Sequence, residues 1–158
     1  MSILFVFDID QTIANASPRL EAAGKEPSRA NKGEYEEWVK SVTNPLIFHE
    51  DRPIAGMAYL LRALYDKSPR IGVYLTSRQQ QWEKTTQEWL DKHQFPPFTL
   101  YMRDEEDFRS STDLKETAIN VLKYQYSADT VIVVDDDPEN TLADVCKRNG
   151  WTFLKACP

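Results

Sequence analysis

The sequence predicts an α/β fold, a doubly wound parallel sheet in one domain spanning 1–158, with a small insertion after the first strand. Three observations predict it. Short, nearly continuous apolar runs recur at 3–7, 71–75 and 131–134, as in strands that helices cover on both faces. Segments of helical spacing separate those runs. Polar clusters follow each run at once: Asp8-x-Asp10-x-Thr12, Thr76-Ser77-Arg78 and Asp135-Asp136-Asp137. Open α/β sheets bind their ligands at that carboxyl edge.

The first strand is Ile3 to Phe7, β-branched and aromatic throughout. Residues 13–52 then break the alternation, with Pro18, Gly24, Pro27, Gly33 and Pro45 and one short helical candidate, Glu34 to Val42. An insertion there overhangs the ligand edge as a lid or rim; the alternative is an irregular connector, although loops this long are usually functional or disordered. Pro53 suits the first turn of the next helix, with Asp51 as its cap. Met57, Leu60, Leu61, Leu64 and Tyr65 share one helical face, and Ser68-Pro69 ends that helix. Ile71 to Leu75 is the second strand. A polar helix follows with Trp82, Trp89, Leu90 and His93 on one side, stopped by Pro96-Pro97.

Phe98 to Met102 is the third strand. Asp113 and Glu116 have the spacing of a capping box, opening a helix through Tyr124. Val131 to Val134 is the fourth strand. Pro138 starts a helix with Leu142, Val145 and Cys146 inward and Asn149-Gly150 as its stop. Trp151 to Leu154 closes the sheet.

At 158 residues, 41% hydrophobic and 28% charged, the chain suffices for one packed core. The net charge of −6, from 25 acidic and 19 basic residues, argues against a broad duplex-binding surface. The partner expected is small, or engaged at one point. No apolar run approaches a membrane span, and the chain enters a strand directly, so neither a membrane segment nor a signal peptide is expected. Cys146 and Cys157 have no framework or metal spacing and are expected as free thiols of a cytoplasmic protein.

Asp8 and Asp10 form a hard-oxygen pair suited to Mg²⁺, the alternative being a solvated turn. Thr76 and Ser77 suit a phosphate, and equally the cap of the next helix. Lys115 near a helix start is commonly solvated, but it opposes the helix dipole, which a phosphate or carboxylate partner would explain. Three successive aspartates at the end of a buried strand repel one another and call for a cation. Together these groups are what phosphomonoester hydrolysis requires. Carboxylates hold the metal, one of them attacks phosphorus, and another moves the leaving-group proton. A hydroxyl, a lysine and an arginine bind the phosphoryl oxygens.

The order Asp-x-Asp-x-Thr, Thr-x-Arg, Lys, Asp-Asp resembles the four signature motifs of the haloacid dehalogenase superfamily of phosphatases. That resemblance implies a Rossmannoid fold and a Mg²⁺ cofactor. It makes Asp8 the nucleophile and Asp10 the general acid/base, which also offers its main-chain carbonyl to the metal. Thr76 then binds phosphate with Ser77 and Arg78, Lys115 steadies Asp8 and the phosphoryl group, and Asp135 with Asp136 completes a metal site begun by Asp8 and Asp10.

The first strand and roughly residues 56–155, notably Leu60 to Asp66, Thr76-Ser77-Arg78 and Asp113 to Glu116, are also similar to the phosphatase domain of bacteriophage polynucleotide kinase. This implies removal of a 3′-phosphate from a nucleic-acid end or nucleotide, beside a separate kinase or ligase. Gln11 and Ser77 stand where that pattern has glycine, the insertion is longer, and these 158 residues hold no kinase domain or Gly-rich phosphate loop. A 5′-nucleotidase or general small-phosphoester phosphatase is the enzymatic alternative. A phospho-receiver module is the non-enzymatic one, disfavoured by the motif order. Tyr35, Trp38 and Phe48 either stack on a terminal base or form the insertion's own small core.

Overall fold

In the computed structural model, which describes residues 1–28, 30–42, 48, 50–66 and 71–157, five parallel strands form one sheet. They are β1 (Ile3–Phe7), β4 (Ile71–Gln79), β5 (Thr99–Arg103), β6 (Thr130–Asp135) and β7 (Thr152–Lys155), in the order β5-β4-β1-β6-β7. β1 is central, with Phe7 level with Tyr74 of β4 and Val134 of β6. Such a strand has to be apolar on both faces, which its sequence is.

The faces divide by alternation. Leu4 and Val6 join Val73, Leu75, Val131 and Val133 against α5 (Ser111–Gln125) and α6 (Thr141–Asn149). Phe5 and Phe7 join Tyr74 and Val134 on the other face, under α3 (Ala55–Asp66) and α4 (Glu83–Lys92). Gly72 lies so close to the Phe98 ring that a Cβ would stand 2.5 Å from it. The glycine lets that ring reach Phe7 and Tyr74.

The described part of the insertion is more ordered than its composition suggests. β2 (Ala14–Asn15) and β3 (Arg52–Pro53) pair antiparallel and tie its ends together. Between them lie α1 (Ser17–Ala23), packed on α2 (Lys32–Val42). α2 matches the expected helix; α1 does not appear in the sequence reading. Pro18 looks like a breaker there but occupies the first turn of α1, where its missing N–H is harmless. Pro45 and the expected stop at Ser68-Pro69 lie outside the described residues.

Several boundaries differ from expectation for local reasons. Pro53 is the last residue of β3, and α3 starts two residues later. Asp51 lies four residues before α3 and is not its cap; it is buried against two arginines. Leu60 and Tyr65 are about half exposed while Leu61 is fully buried, so the buried face of α3 runs through Met57, Ala58, Leu61 and Leu64. α5 is capped by Ser110, whose Oγ accepts from the Asp113 N–H at 3.0 Å. Glu116 instead reaches α6, accepting from Arg148 and Asn149. α6 begins at Thr141 rather than Pro138 and ends as expected at Gly150, φ +69°. Among the described residues, no helix is long and apolar enough to cross a membrane.

Candidate active site

β1 delivers Asp8 to the carboxyl edge of the sheet. Its N–H donates to Val134 O at 3.0 Å, continuing the β1–β6 ladder by one residue. β6 delivers Asp135 beside it, and α5 brings Lys115 over both. The ammonium lies 2.9 Å from Asp8 Oδ1 and 2.6 Å from Asp135 Oδ2, and all three residues are buried. Burial opposes the lysine's charge, yet Asp8 and Asp135 hold its pKa above the ordinary value. Asp136 stands at the same edge, half-buried, its pKa raised by burial and then by Asp135.

One carboxylate oxygen from each of Asp8, Asp135 and Asp136 lies within 4.8 Å of the others. Three carboxylates face one ammonium, and the imbalance shows in Asp8. Its pKa is raised from 3.8 to about 8: burial raises it most, Lys115 pulls it down, and Asp135 and Asp10 push it up. A cluster of hard oxygens with surplus negative charge fits a divalent cation such as Mg²⁺. The third aspartate of the run is structural: Asp137 Oδ2 accepts from the Ala143 N–H at 2.9 Å, tying down the first turn of α6.

Asp10 belongs to a second group. Arg78 Nε and Nη2 donate to its two carboxylate oxygens at 3.1 and 2.6 Å, and Arg19 of α1 donates to it as well. Both arginines also bind Asp51, Arg78 at 2.9 Å and Arg19 at 3.0 and 3.2 Å. Arg19 donates further to the Val42 carbonyl. The Phe48 ring lies 4.3 Å from the Arg78 guanidinium carbon and 4.7 Å from that of Arg19. Phe48 is fully buried, so it serves this core and is not a stacking platform. Burial would raise the Asp10 pKa, but Arg78 and Arg19 hold it well below the carboxylate range. For Asp51 burial wins over the same two arginines and its pKa rises.

Thr76, Ser77 and Arg78 were expected in a turn after the second strand. They lie within β4, whose pairing with β5 shifts register between Leu75 and Gln79. Neither hydroxyl caps the next helix. Thr76 Oγ1 accepts from the Arg78 N–H, and Ser77 Oγ lies 2.6 Å from Ser111 Oγ. Thr76 and Ser77 line the same cleft of about 630 Å³ as Asp8, Asp10, Lys115, Asp135 and Asp136. Arg78 is turned onto Asp10 and Asp51, so a grip on a substrate phosphate requires those carboxylates to yield it. The Asp10 carboxylate stands outside the Asp8–Asp135–Asp136 cluster.

Gln11, where the resembled pattern has glycine, takes φ +60°, a conformation that favours glycine. Its side chain offsets the strain: Oε1 accepts from the Ala16 N–H and Nε2 donates to Ser17 Oγ, each at 2.9 Å. The first motif is thereby tied to the start of α1, the helix that carries Arg19. Sequence reasoning missed Arg19. It lies in a polar stretch whose spacing marks no face, and only the fold brings it to Asp10.

No family model matches the chain, and no curated protein does. Solved structures do. A chain of the Pnkp1/Rnl/Hen1 complex aligns with TM-score 0.71 and 19% identity over 99% of this chain and 45% of that one. This protein therefore spans less than half the length of that chain. A haloacid dehalogenase-like hydrolase of Streptococcus pneumoniae aligns with TM-score 0.66 and 14% identity, over 98% of this chain and 84% of its own. The fold is haloacid dehalogenase-like. A class C acid phosphatase of Bacillus anthracis, solved with tungstate, also shares this fold, at TM-score 0.61 and 16% identity over 99% of this chain and 67% of that one.

Proposed function

We propose that this protein is a Mg²⁺-dependent phosphomonoester hydrolase that works through an aspartyl-phosphate on Asp8 and removes the 3′-phosphate of a nucleotide or nucleic-acid end. The observation that carries the reading is the buried Asp8–Lys115–Asp135 contact beside Asp136, at the carboxyl edge of a haloacid dehalogenase-like sheet. Asp8, Asp135 and Asp136, with the Asp10 main-chain carbonyl, are the groups assigned to Mg²⁺, which when bound neutralises phosphoryl charge and keeps Asp8 ionised.

A carboxylate oxygen of Asp8 attacks phosphorus, the bond from phosphorus to the ester oxygen breaks, and that oxygen takes a proton from Asp10. Water then attacks the aspartyl-phosphate, giving its proton to Asp10 and releasing phosphate and free Asp8. Thr76, Ser77 and Lys115 hold the phosphoryl oxygens while charge shifts across them. In the free protein Asp10 is held ionised by Arg78 and Arg19. A phosphate that draws those guanidiniums onto itself leaves Asp10 less compensated and raises its pKa toward that of a working acid.

The 3′ preference is supported by the Thr76-Ser77-Arg78 cluster and by the likeness to a chain of an RNA repair complex. The same likeness supports a setting beside a separate kinase or ligase. The test is kcat/KM for matched 3′- and 5′-phosphates of one nucleoside, with Mg²⁺ and with EDTA. Mg²⁺-dependent release favouring the 3′ ester is expected. A 5′ preference makes the protein a nucleotidase, and release unaffected by EDTA overturns the metal assignment.

A further inference from the structure

We propose that the cavity between α2 and the loop 104–109 is a leaving-group pocket for a single nucleoside. The proposal rests on the phosphatase reading and adds the size and shape of the substrate. The cavity measures about 370 Å³, at the small end of ligand sites and suited to one nucleoside. It shares Asp10, Leu20, Glu26, Ser77 and Ser111 with the cleft that holds Asp8. A phosphoryl group at Asp8 whose ester oxygen meets Asp10 therefore has its remaining bulk directed here.

The walls suit a flat ring. Tyr35, Trp38, Val39 and Phe108 line the space. Trp38 is held in place, its Nε1 donating to Gly24 O at 3.0 Å and its ring stacked on Tyr35 at 6.1 Å. Phe108 is 47% exposed at the opposite wall, a large aromatic surface that a base would cover. Lys32 of α2 reaches to 5.5 Å from the Phe108 ring, linking the two walls.

The charges limit what can follow the base. Of the acids on the lining, Glu36 lies 3.8 Å from the Lys32 ammonium and Asp107 is paired with Arg109. Arg19 and Arg78 are neutralised by Asp10 and Asp51. Arg103 is buried and braces the loop, donating to the carbonyls of Ser77, Asp107 and Arg109. Lys40 is the one further cation among the described lining residues. Tracking a polynucleotide takes several cations in a row, and Arg19, Arg78 and Arg103 are already engaged within the protein.

The experiment compares kcat/KM for a nucleoside 3′-monophosphate, a 3′-phosphorylated trimer and glycerol 2-phosphate, which is too small to reach the aromatic walls. The wild-type protein should prefer the mononucleotide over the trimer by about tenfold. Phe108→Ala should lower the ratio of mononucleotide to glycerol phosphate kcat/KM by about tenfold, through KM, the size of one base–aromatic stack. A wild-type preference for the trimer, or equal losses on both small esters in Phe108→Ala, overturns the pocket. Glycerol phosphate turnover tests the phosphatase reading separately. If no ester is hydrolysed, adenosine titrated against tryptophan fluorescence still decides. Quenching in the wild type that Trp38→Phe abolishes supports the pocket, and its absence overturns it.

Discussion

The two halves of the site are built from the same kinds of side chain and differ in their charge balance. In one, Asp10 and Asp51 face Arg78 and Arg19 over Phe48, two anions against two cations. In the other, Asp8, Asp135 and Asp136 face Lys115 alone among the described residues. The first half is complete as it stands, and its carboxylate Asp10 is held well below its usual pKa. The second is over-charged, and Asp8 is pushed to about 8. A buried group satisfied by its own protein holds a conformation; one left short of positive charge is poised for a ligand.

Disabling the unbalanced half should have the largest effect on turnover. Asp8→Asn removes the attacking oxygen while keeping size and packing, so phosphate release should fall by about 10³-fold or more. The same change removes a repelling charge, so the metal-free variant should melt no lower than the wild type at pH 8. Activity within about tenfold of wild type would sink the nucleophile assignment. In the balanced half, Asp10→Asn should cost about 10²–10⁴-fold, the range of general acid/base catalysis. The loss should be smaller for esters whose leaving group needs little protonation, and equal loss on aryl and alkyl esters would count against the role.

The halves should also answer pH with opposite signs. Asp8 in the folded protein keeps its proton up to about 8, whereas its ordinary pKa is 3.8. Between those values the folded state holds more protons than the unfolded one, so this half loses stability as pH rises from about 4 to about 8. Asp10 is depressed; its contribution is present above 3.8 and is lost as pH falls below that. Thermal melts of metal-free protein should show both trends, and Mg²⁺ should flatten the neutral one and leave the acid one. Mg²⁺ that left the neutral limb unchanged would contradict the cation site.

Paired substitutions should separate the halves by stability. Asp51→Asn leaves a buried arginine short of its partner and should cost about 3 kcal/mol, the low end for breaking a buried pair. Asp136→Asn removes a half-buried charge from the crowded side and should raise the metal-free melting point by about 2 °C while weakening Mg²⁺ binding. A fall in both variants would mean that charge balance does not distinguish the two halves.

These halves were unequally legible in the sequence. The unbalanced one lies at strand ends in short motifs, and every member, Asp8, Lys115, Asp135 and Asp136, was placed from local context. The balanced one depends on contacts across the fold. Asp51 passed for a helix cap because it precedes Arg52-Pro53 and an amphipathic run. Phe48 left two readings open, a base-stacking platform or part of a small core, because nothing local shows the guanidiniums on its ring. The five strands of the main sheet were read to within a few residues, since apolar continuity is a strong signal; β2 and β3, too short for such a run, were not. The ends of the main strands were less legible: β4 runs four residues beyond its apolar stretch, through a register shift that polar side chains do not announce.

The smallest effect expected lies at the joint between the halves. Gln11 separates Asp10 from the insertion with a positive φ that glycine would adopt more readily. Gln11→Gly should therefore relieve about 1 kcal/mol of backbone strain. It also removes the hydrogen bonds to Ala16 and Ser17, each worth about 1 kcal/mol. Global stability should fall by no more than about 1 kcal/mol, the loss of two bonds against the relief of one strain. The local consequence is more specific. α1 loses its tie to the first motif, and with it the placement of Arg19 on Asp10, while Asp8 and Lys115 are untouched. Limited proteolysis should then cut within 16–24 sooner than in the wild type, and Mg²⁺ affinity should be unchanged. If Mg²⁺ affinity falls as much as protease resistance does, the halves are coupled through Gln11.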